Sequence, residues 1–164
     1  MLNSETTRLR IGQQLDALAG GERGALLVVD VDCFKDVNDT HGHLVGDLVL
    51  ADIARILREN FRIGDVVGRL GGDEFMVYLD RVGSTDVVLG KCDRLRRAVE
   101  RHEYPGTDCR VTISVGVVLA HAGDTFDDLY GRADEALYAA KRDGRNRCGL
   151  ADGALRSPKA APAP

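Results

Sequence analysis

The stretch Arg69-Leu70-Gly71-Gly72-Asp73-Glu74-Phe75 decides the fold, because it joins two apolar segments, 65–68 and 75–79, through a pair of glycines. Adjacent glycines between such segments predict a β-hairpin, since glycine takes a positive φ without steric cost. Asp73 and Glu74 follow the glycines directly. These carboxylates either solvate an ordinary turn or lie where the backbone approaches a ligand closely, and the turn alone leaves both interpretations open.

Outside the hairpin, hydrophobic periodicity predicts four helices and three further strands. Ser4 is a candidate cap for a helix to about Ala19, the apolar run 25–31 predicts a buried central strand, and the polar stretch 35–42 predicts a loop. The other predicted elements are a helix over about 45–60, a helix capped by Ser84 or Thr85, a strand over 110–119, a helix capped by Thr125 and ended by Gly144, and a short strand over 146–149. This order contains a ferredoxin-like β-α-β-β-α-β core with an extra helix at each end, an α+β fold.

Composition predicts one domain over 1–150 and a disordered tail over 151–164, where Ala, Pro, Ser and Gly dominate. The formal net charge of −4 does not favour nucleic acid as a partner. No apolar run reaches the length of a membrane span, and the start of the chain is too polar for a signal peptide. The four cysteines have no CxxC spacing. We therefore expect reduced thiols and a cytoplasmic location.

Acidic residues close the first predicted strand, at Asp30 and Asp32. In the predicted topology this strand end lies beside the hairpin turn, so Asp30 and Asp73 converge. Two carboxylates that converge repel each other unless something neutralises them. A bound Mg²⁺ ion is the simplest way to neutralise them, because Mg²⁺ prefers oxygen ligands and keeps coordinated waters. The alternative is that Asp30 and Asp32 only cap or solvate a loop.

Two pairs of charged residues are ambiguous by themselves. Lys141 and Arg145 are four apart in the last predicted helix, which would place both cations on one side to hold a triphosphate. Equally, cations near a helix C-terminus suit the helix dipole. Arg62 and Asp65 form an i, i+3 pair, usually an exposed ion pair that contributes about 0–1 kcal/mol.

Taken together, these pieces resemble the GGDEF domain of diguanylate cyclases, from Leu2 to about Gly149. The resemblance implies a sheet of the nucleotide-cyclase and polymerase-palm type, mostly antiparallel and flanked by helices. The stretches that carry it are Asp30-Val31-Asp32-Cys33-Phe34-Lys35-Asp36-Val37-Asn38-Asp39, Gly42-His43, Gly46-Asp47, the signature 69–75, Thr112-Ile113-Ser114-Val115-Gly116, Ala133-Asp134, Tyr138, Lys141 and Gly144-Arg145-Asn146.

The resemblance implies a reaction in which two GTP condense to cyclic di-GMP and two pyrophosphates, in a homodimer with one GTP per domain. Asp30, Asp73 and the Val31 carbonyl would bind Mg²⁺, or alternatively Mn²⁺, and Glu74 has no assigned role. The resemblance also implies the substrate-binding residues. The phosphates would contact the backbone of Cys33 and Phe34 and the cations of Lys141 and Arg145. Guanine would contact Asn38 and Asp47, and Gly71 and Gly72 would leave room for the nucleotide.

The same resemblance makes Arg62 and Asp65 an RxxD site that binds the product and inhibits the enzyme, with Arg94 as its secondary arginine. The family's acidic D-x-L-T-G-L-x-N turn is represented only by Leu2-Asn3. The sequence leaves open whether the chain is truncated or lacks that turn, and we expect a weak, concentration-dependent dimer.

Two alternative functions stay open at this point. A non-catalytic GTP or cyclic di-GMP receptor is supported by the intact Arg62/Asp65 pair and the missing N-terminal turn, although such a protein would typically have lost Asp30 or Asp73, and both are present. An ATP-dependent cyclase is disfavoured by Asp47, because a carboxylate accepts hydrogen bonds from guanine N1–H and N2–H₂ that adenine does not offer.

Overall fold

A computed structural model of the chain describes residues 1–105, 107–108 and 110–151. Five helices and five strands alternate in it with short connections. In chain order they are α1 (Ser4–Asp16), β1 (Arg23–Val31), α2 (Phe34–His41), α3 (His43–Asn60), β2 (Val66–Gly71), β3 (Glu74–Leu79), α4 (Thr85–Arg101), β4 (Ile113–His121), α5 (Phe126–Arg142) and β5 (Cys148–Leu150).

The strands form one sheet in the order β2-β3-β1-β4-β5. All pairs are antiparallel except β4 and β5, which are parallel. The segment from β1 to β4 is the predicted β-α-β-β-α-β unit, and α1 and α5 are the predicted extra helices. The ferredoxin-like α+β prediction is therefore confirmed.

Alternation along β1 divides the core into two layers. Leu27, Val29 and Val31 pack with buried side chains of α3 and α4 on one face of the sheet. Leu26 and Val28 pack with α1 and α5 on the other face. Asp30 continues the second set by alternation, so its side chain belongs on the face that carries α5.

Three local predictions need correction. Residues 35–42 were expected to be a loop, but 34–41 form helix α2, whose buried residue is Val37. The cap of α1 is Asn3 rather than Ser4, since the Asn3 side chain accepts from Thr6 N at 2.9 Å. Strand β4 begins at Ile113, not at residue 110.

The prediction that all cysteines are reduced is wrong for two of them. Cys92 on α4 and Cys148 on β5 form a disulfide, with their Cα atoms 6.5 Å apart. Cys33 is a free, exposed thiol, and residue 109 and most of the predicted tail lie outside the described residues. Within the described part of the chain, no helix combines the length and apolar character needed to cross a membrane.

Candidate active site

The end of β1 lies beside the hairpin turn, as the predicted topology requires. Asp30 pairs in register with Glu74 of β3 on one side and with Ser114 of β4 on the other. The backbone N–H of Val31 donates to the carbonyl of Asp73 at 3.3 Å. Asp30, Asp73 and Glu74 therefore lie together at one end of the sheet.

Lys141 of α5 neutralises the buried carboxylate of Asp30. Its Nζ lies 2.8 Å from Asp30 Oδ2, and the Asp30 side chain is only 10% exposed. Burial raises the pKa of Asp30, the contact with Lys141 opposes this rise, and the charges of Asp73 and Asp32 add to it. The site is thus a negative cluster with one cation held against it.

Glu74 belongs to the same electrostatic unit, although the sequence assigned it no role. Burial and the charges of Asp30 and Asp73 raise the pKa of Glu74, while Lys141 lowers it. Glu74 and Asp30 are direct cross-strand neighbours on one face of the sheet, so the pairing of β1 with β3 holds the two carboxylates close enough to repel each other. Added positive charge at this place is therefore favourable.

The turn itself spans Gly72 and Asp73, one residue later than the glycine pair suggested. Gly71 still belongs to β2, and of the two glycines only Gly72 has a positive φ, of 51°. Arg69 braces the turn, because its Nε and Nη2 donate to the carbonyl of Gly72 at 2.9 and 2.5 Å. The sequence places Arg69 in the signature but gives no indication of this bracing role.

Helix α2 is pressed against the start of α3 at Gly46. A Cβ atom at Gly46 would collide with Asn38 Oδ1 and lie 3.1 Å from the Phe34 ring. Phe34 and Asn38 therefore lie against Gly46, and the residue that follows Gly46, Asp47, is exposed. Cys33 precedes α2 with a φ of 54°, so the N–H groups of the first helical turn, which lack intrahelical acceptors, follow directly after β1.

A cleft of about 710 Å³ connects α3 with the hairpin. Asp47 and Leu50 of α3 form one side, and Leu70 and Gly71 form another. Leu2 and Asn3 close it from the start of the chain. The exposed carboxylate of Asp47 is thus placed at the wall of an apolar cleft, beside the hairpin turn.

Lys141 and Arg145 do not share a helix, contrary to the prediction. Helix α5 ends at Arg142, and Gly144 and Arg145 have φ values of 114° and 59°. Lys141 points to Asp30, whereas Arg145 is exposed in the turn that follows the helix. Both cations still lie at the end of α5, but they reach the site from different backbone positions.

Comparison with known proteins decides the family. A model of the family "Diguanylate cyclase, GGDEF domain" matches residues 1–147. The chain belongs to the GGDEF domain family of diguanylate cyclases. Diguanylate cyclase DgcM of Escherichia coli K12 is 41% identical over 134 residues, which are 82% of this chain and 32% of the relative. Diguanylate cyclase A of Treponema denticola is 39% identical over 139 residues, 83% of this chain and 37% of the relative.

Solved GGDEF domains share the fold closely. That of YfiN from Pseudomonas aeruginosa superposes with a TM-score of 0.85 at 36% identity, covering 92% of this chain and 96% of the other. That of DgcB from Caulobacter crescentus, in complex with c-di-GMP, gives 0.83 at 31% identity, covering 92% and 88%. The chain spans about a third of the curated relatives that it matches.

The donor set of this GGDEF domain fits a hard divalent cation. Carboxylates of Asp30, Asp73 and Glu74 supply oxygen at one end of the sheet, and their mutual repulsion is only partly balanced by Lys141. Within residues 1–105, 107–108 and 110–151, no three acidic, histidine or cysteine side chains are grouped so that they could hold a metal ion by themselves. An open site of this kind suits Mg²⁺, which takes its remaining ligands from water and from substrate phosphates.

The RxxD turn lies between α3 and β2, away from the acids. The Asp65 side chain is 1% exposed and accepts from Arg62 N at 3.1 Å and Arg62 Nε at 3.2 Å. Arg62 also donates to the carbonyl of Asp80. Arg94 of α4 reaches the end of α3, where its Nη2 donates to Asn60 O at 3.3 Å. Arg62 and Asp65 are therefore in direct contact, with Asp65 screened by Arg62, while Arg94 contacts the chain two residues before Arg62.

Proposed function

We propose that this domain condenses two GTP into cyclic di-GMP and two pyrophosphates, as a homodimer whose two half-sites each hold one GTP. The observation that carries the proposal is Lys141 Nζ at 2.8 Å from Asp30 Oδ2, next to Asp73 and Glu74. A metal-binding carboxylate and a phosphate-binding cation are thus already in contact. Family membership supports the reaction, and GTP as substrate implies that the domain works in the cytoplasm.

The acids bind the metal and the cations bind the phosphates in this proposal. Asp30, Asp73 and the Val31 carbonyl would hold Mg²⁺ or Mn²⁺, which would stabilise the transferring phosphoryl group and lower the pKa of the attacking 3′-hydroxyl. Lys141 then turns from Asp30 to the β- and γ-phosphates together with Arg145. The backbone N–H groups at Cys33 and Phe34 donate to the phosphates, as expected for the start of a helix.

Guanine selection is assigned to Asn38 and Asp47. Asn38 lies against Gly46, the residue that directly precedes Asp47, and this proximity along the chain supports a shared role of the two residues. The carboxylate accepts from N1–H and N2–H₂ of guanine, which adenine lacks. Asp47 also lines the cleft that ends at Gly71, where the absence of a side chain leaves room for the nucleotide.

Regulation is assigned to the second site. Arg62 and Asp65 bind cyclic di-GMP, Arg62 through phosphate or guanine and Asp65 through guanine, and Arg94 completes the site. The contact between Arg62 and Asp65, and the bond from Arg94 to Asn60 O at the end of α3, support this assignment. Because Arg62 covers the Asp65 carboxylate, the arginine moves away from the acid when guanine binds.

The test is product formation against protein concentration. The domain is incubated with GTP and Mg²⁺ over a wide range of protein concentration, and cyclic di-GMP is measured by chromatography. Since two half-sites must meet, we expect the rate per domain to rise with concentration until the dimer saturates.

The control for this experiment is Asp73→Ala, which removes a half-buried turn carboxylate and should leave the domain folded without product. A folded wild-type domain that binds GTP but makes no product at high concentration would overturn the proposal. That outcome would favour the second candidate, a GTP or cyclic di-GMP receptor, which the Arg62–Asp65 pair supports.

A further inference from the structure

Asp32 is a buried carboxylate that the proposed reaction does not use. It is 7% exposed and accepts three hydrogen bonds. Ser114 Oγ donates to its Oδ1 at 2.7 Å, and Thr112 Oγ1 and the backbone N–H of Asn146 donate to its Oδ2 at 2.7 and 3.0 Å. Bonds to an ionised acceptor are stronger than those between neutral groups. Asp32 therefore ties three chain segments together.

One of these segments is the turn after α5, which has an unfavourable backbone shape. Arg145 and Asn146 have φ values of 59° and 48°, in the left-handed region that residues with a side chain seldom adopt. Two such residues in succession require support from their surroundings. The bond from Asn146 N to Asp32 is part of that support.

Helix α4 holds the same turn from the other side. Arg96 Nη1 donates to Asn146 Oδ1 at 3.0 Å, and Asn146 Nδ2 donates to Glu100 Oε1 at 2.9 Å. Cys92, one helical turn before Arg96, forms the disulfide with Cys148. The turn is thus fixed between the end of β1 and one face of α4.

We propose that Asp32 is a positioning residue, which sets Arg145, the phosphate-binding cation of the turn after α5, relative to the metal-binding acid Asp30 on β1. Asp30 and Asp32 lie two residues apart at the end of one strand, and Asp32 holds the turn that carries Arg145 through its neighbour Asn146. The end of β1 therefore carries the acid proposed to bind metal, Asp30, and also the residue that supports the turn with Arg145, Asp32. This inference rests on the proposed function, in which Lys141 and Arg145 bind the β- and γ-phosphates.

The experiment compares GTP with GMP, because GMP lacks the phosphates that the turn would reach. Dissociation constants are measured by calorimetry in EDTA, so that the protein's own cations supply the affinity and no turnover occurs. For Asp32→Ala we expect GTP binding to weaken about tenfold, a change that corresponds to about 1.4 kcal/mol. GMP binding should change less than about twofold, well inside that tenfold step.

The matched control is Thr112→Val with Ser114→Ala, which removes the two hydroxyl donors and keeps the bond from Asn146 to Asp32. It should lower stability without a loss specific to GTP. If Asp32→Ala does not fold, Asp32→Leu added to this control replaces the whole network by apolar groups. That triple variant should show the loss specific to GTP, because the Asn146 N–H then lacks its partner.

Equal losses for GTP and GMP, or unchanged GTP binding in a folded variant, would overturn the positioning role and leave Asp32 as a structural residue. Failure of the proposed function gives a different result. In that case the wild-type domain, before any variant is compared, either binds GTP no more tightly than GMP or binds GTP tightly and makes no cyclic di-GMP.

Discussion

Lys141 Nζ lies 2.8 Å from Asp30 Oδ2, so the acid proposed to bind metal is already neutralised by the lysine proposed to bind phosphate. While Lys141 pairs with Asp30, the lysine is not available to bind phosphate, and the acid is not free to bind a metal. We expect Asp30→Asn to abolish product formation and yet to strengthen GTP binding in EDTA by at least about threefold, because Lys141 is released and a repelling charge is removed.

The control for this prediction is Asp30→Asn combined with Lys141→Met, in which the gain in GTP affinity should disappear. Calorimetric titration of GTP into each protein measures the effect. Weaker metal-free GTP binding by Asp30→Asn than by the wild type would show that the ion pair does not restrain Lys141.

Gly116 of β4 is expected to be essential for the packing of α5. A Cβ atom there would collide with the carbonyl of Ala133 and lie 2.6 Å from Leu137 N. Since these are backbone atoms of a helix, they cannot rotate away. Gly116→Ala should therefore lower the free energy of unfolding by about 1–3 kcal/mol, measured by urea denaturation.

Gly90→Ala is the matched control, because Gly90 is exposed on α4 and a Cβ atom there has nothing within 4 Å. The substitution should raise stability by about 0.5–1 kcal/mol through helix propensity. Equal destabilisation by the two substitutions would contradict the close approach of α5 to β4.

Product inhibition is expected to depend on Arg62. Its Nε and backbone N–H contact Asp65, and Arg94 lies at the adjacent end of α3. Arg62→Ala should make the ratio of initial rates with and without added cyclic di-GMP approach one. The control is Arg58→Ala, which removes a cation in the last turn of α3 and should keep the product inhibition of the wild type. Inhibition of Arg62→Ala by cyclic di-GMP as strong as that of the wild type would contradict the assignment.

The sequence predicts those parts of the molecule that depend on neighbours along the chain. The hairpin, the buried strand β1 and the amphipathic helices α4 and α5 follow from local patterns. Helix α2 does not, because it has only 8 residues and few apolar side chains, and the helix packs against Gly46 at the start of α3. The expected helical spacing of Lys141 and Arg145 fails for a related reason, since the backbone turns at Gly144.

Contacts between distant residues account for most of what the sequence could not predict about the site. The family motifs mark Asp30 and Asp73, whose meeting follows from topology. The partners of Asp32 are 80 to 114 residues away in sequence, and the cysteines of the disulfide are separated by 56. No pattern in one sequence specifies such pairs, because only the fold brings them together, and one donor to Asp32 is a backbone N–H that every residue type except proline carries.

The acid stability of the domain is expected to depend on Asp52, which joins α3 to the end of α4. Burial raises the pKa of Asp52, but the contacts with His102, whose Nε2 lies 3.1 Å from Asp52 Oδ2, and with Arg55 outweigh burial and lower the pKa below its ordinary value of 3.8. The folded state therefore keeps Asp52 ionised at a pH where the unfolded chain binds a proton. Asp52 then contributes stability above the ordinary pKa, and this contribution is lost as pH falls below 3.8 through the folded-state pKa.

Asp52→Asn should consequently be less stable than the wild type near neutral pH, and the difference should shrink as pH falls through that window. Urea denaturation at a series of pH values measures it, with Asp36→Asn, an exposed acid on α2, as the control that should follow the wild type. A wild-type advantage that stays constant down to pH values well below 3.8 would contradict the lowered pKa, because only a difference in proton binding between the folded and unfolded states makes it depend on pH.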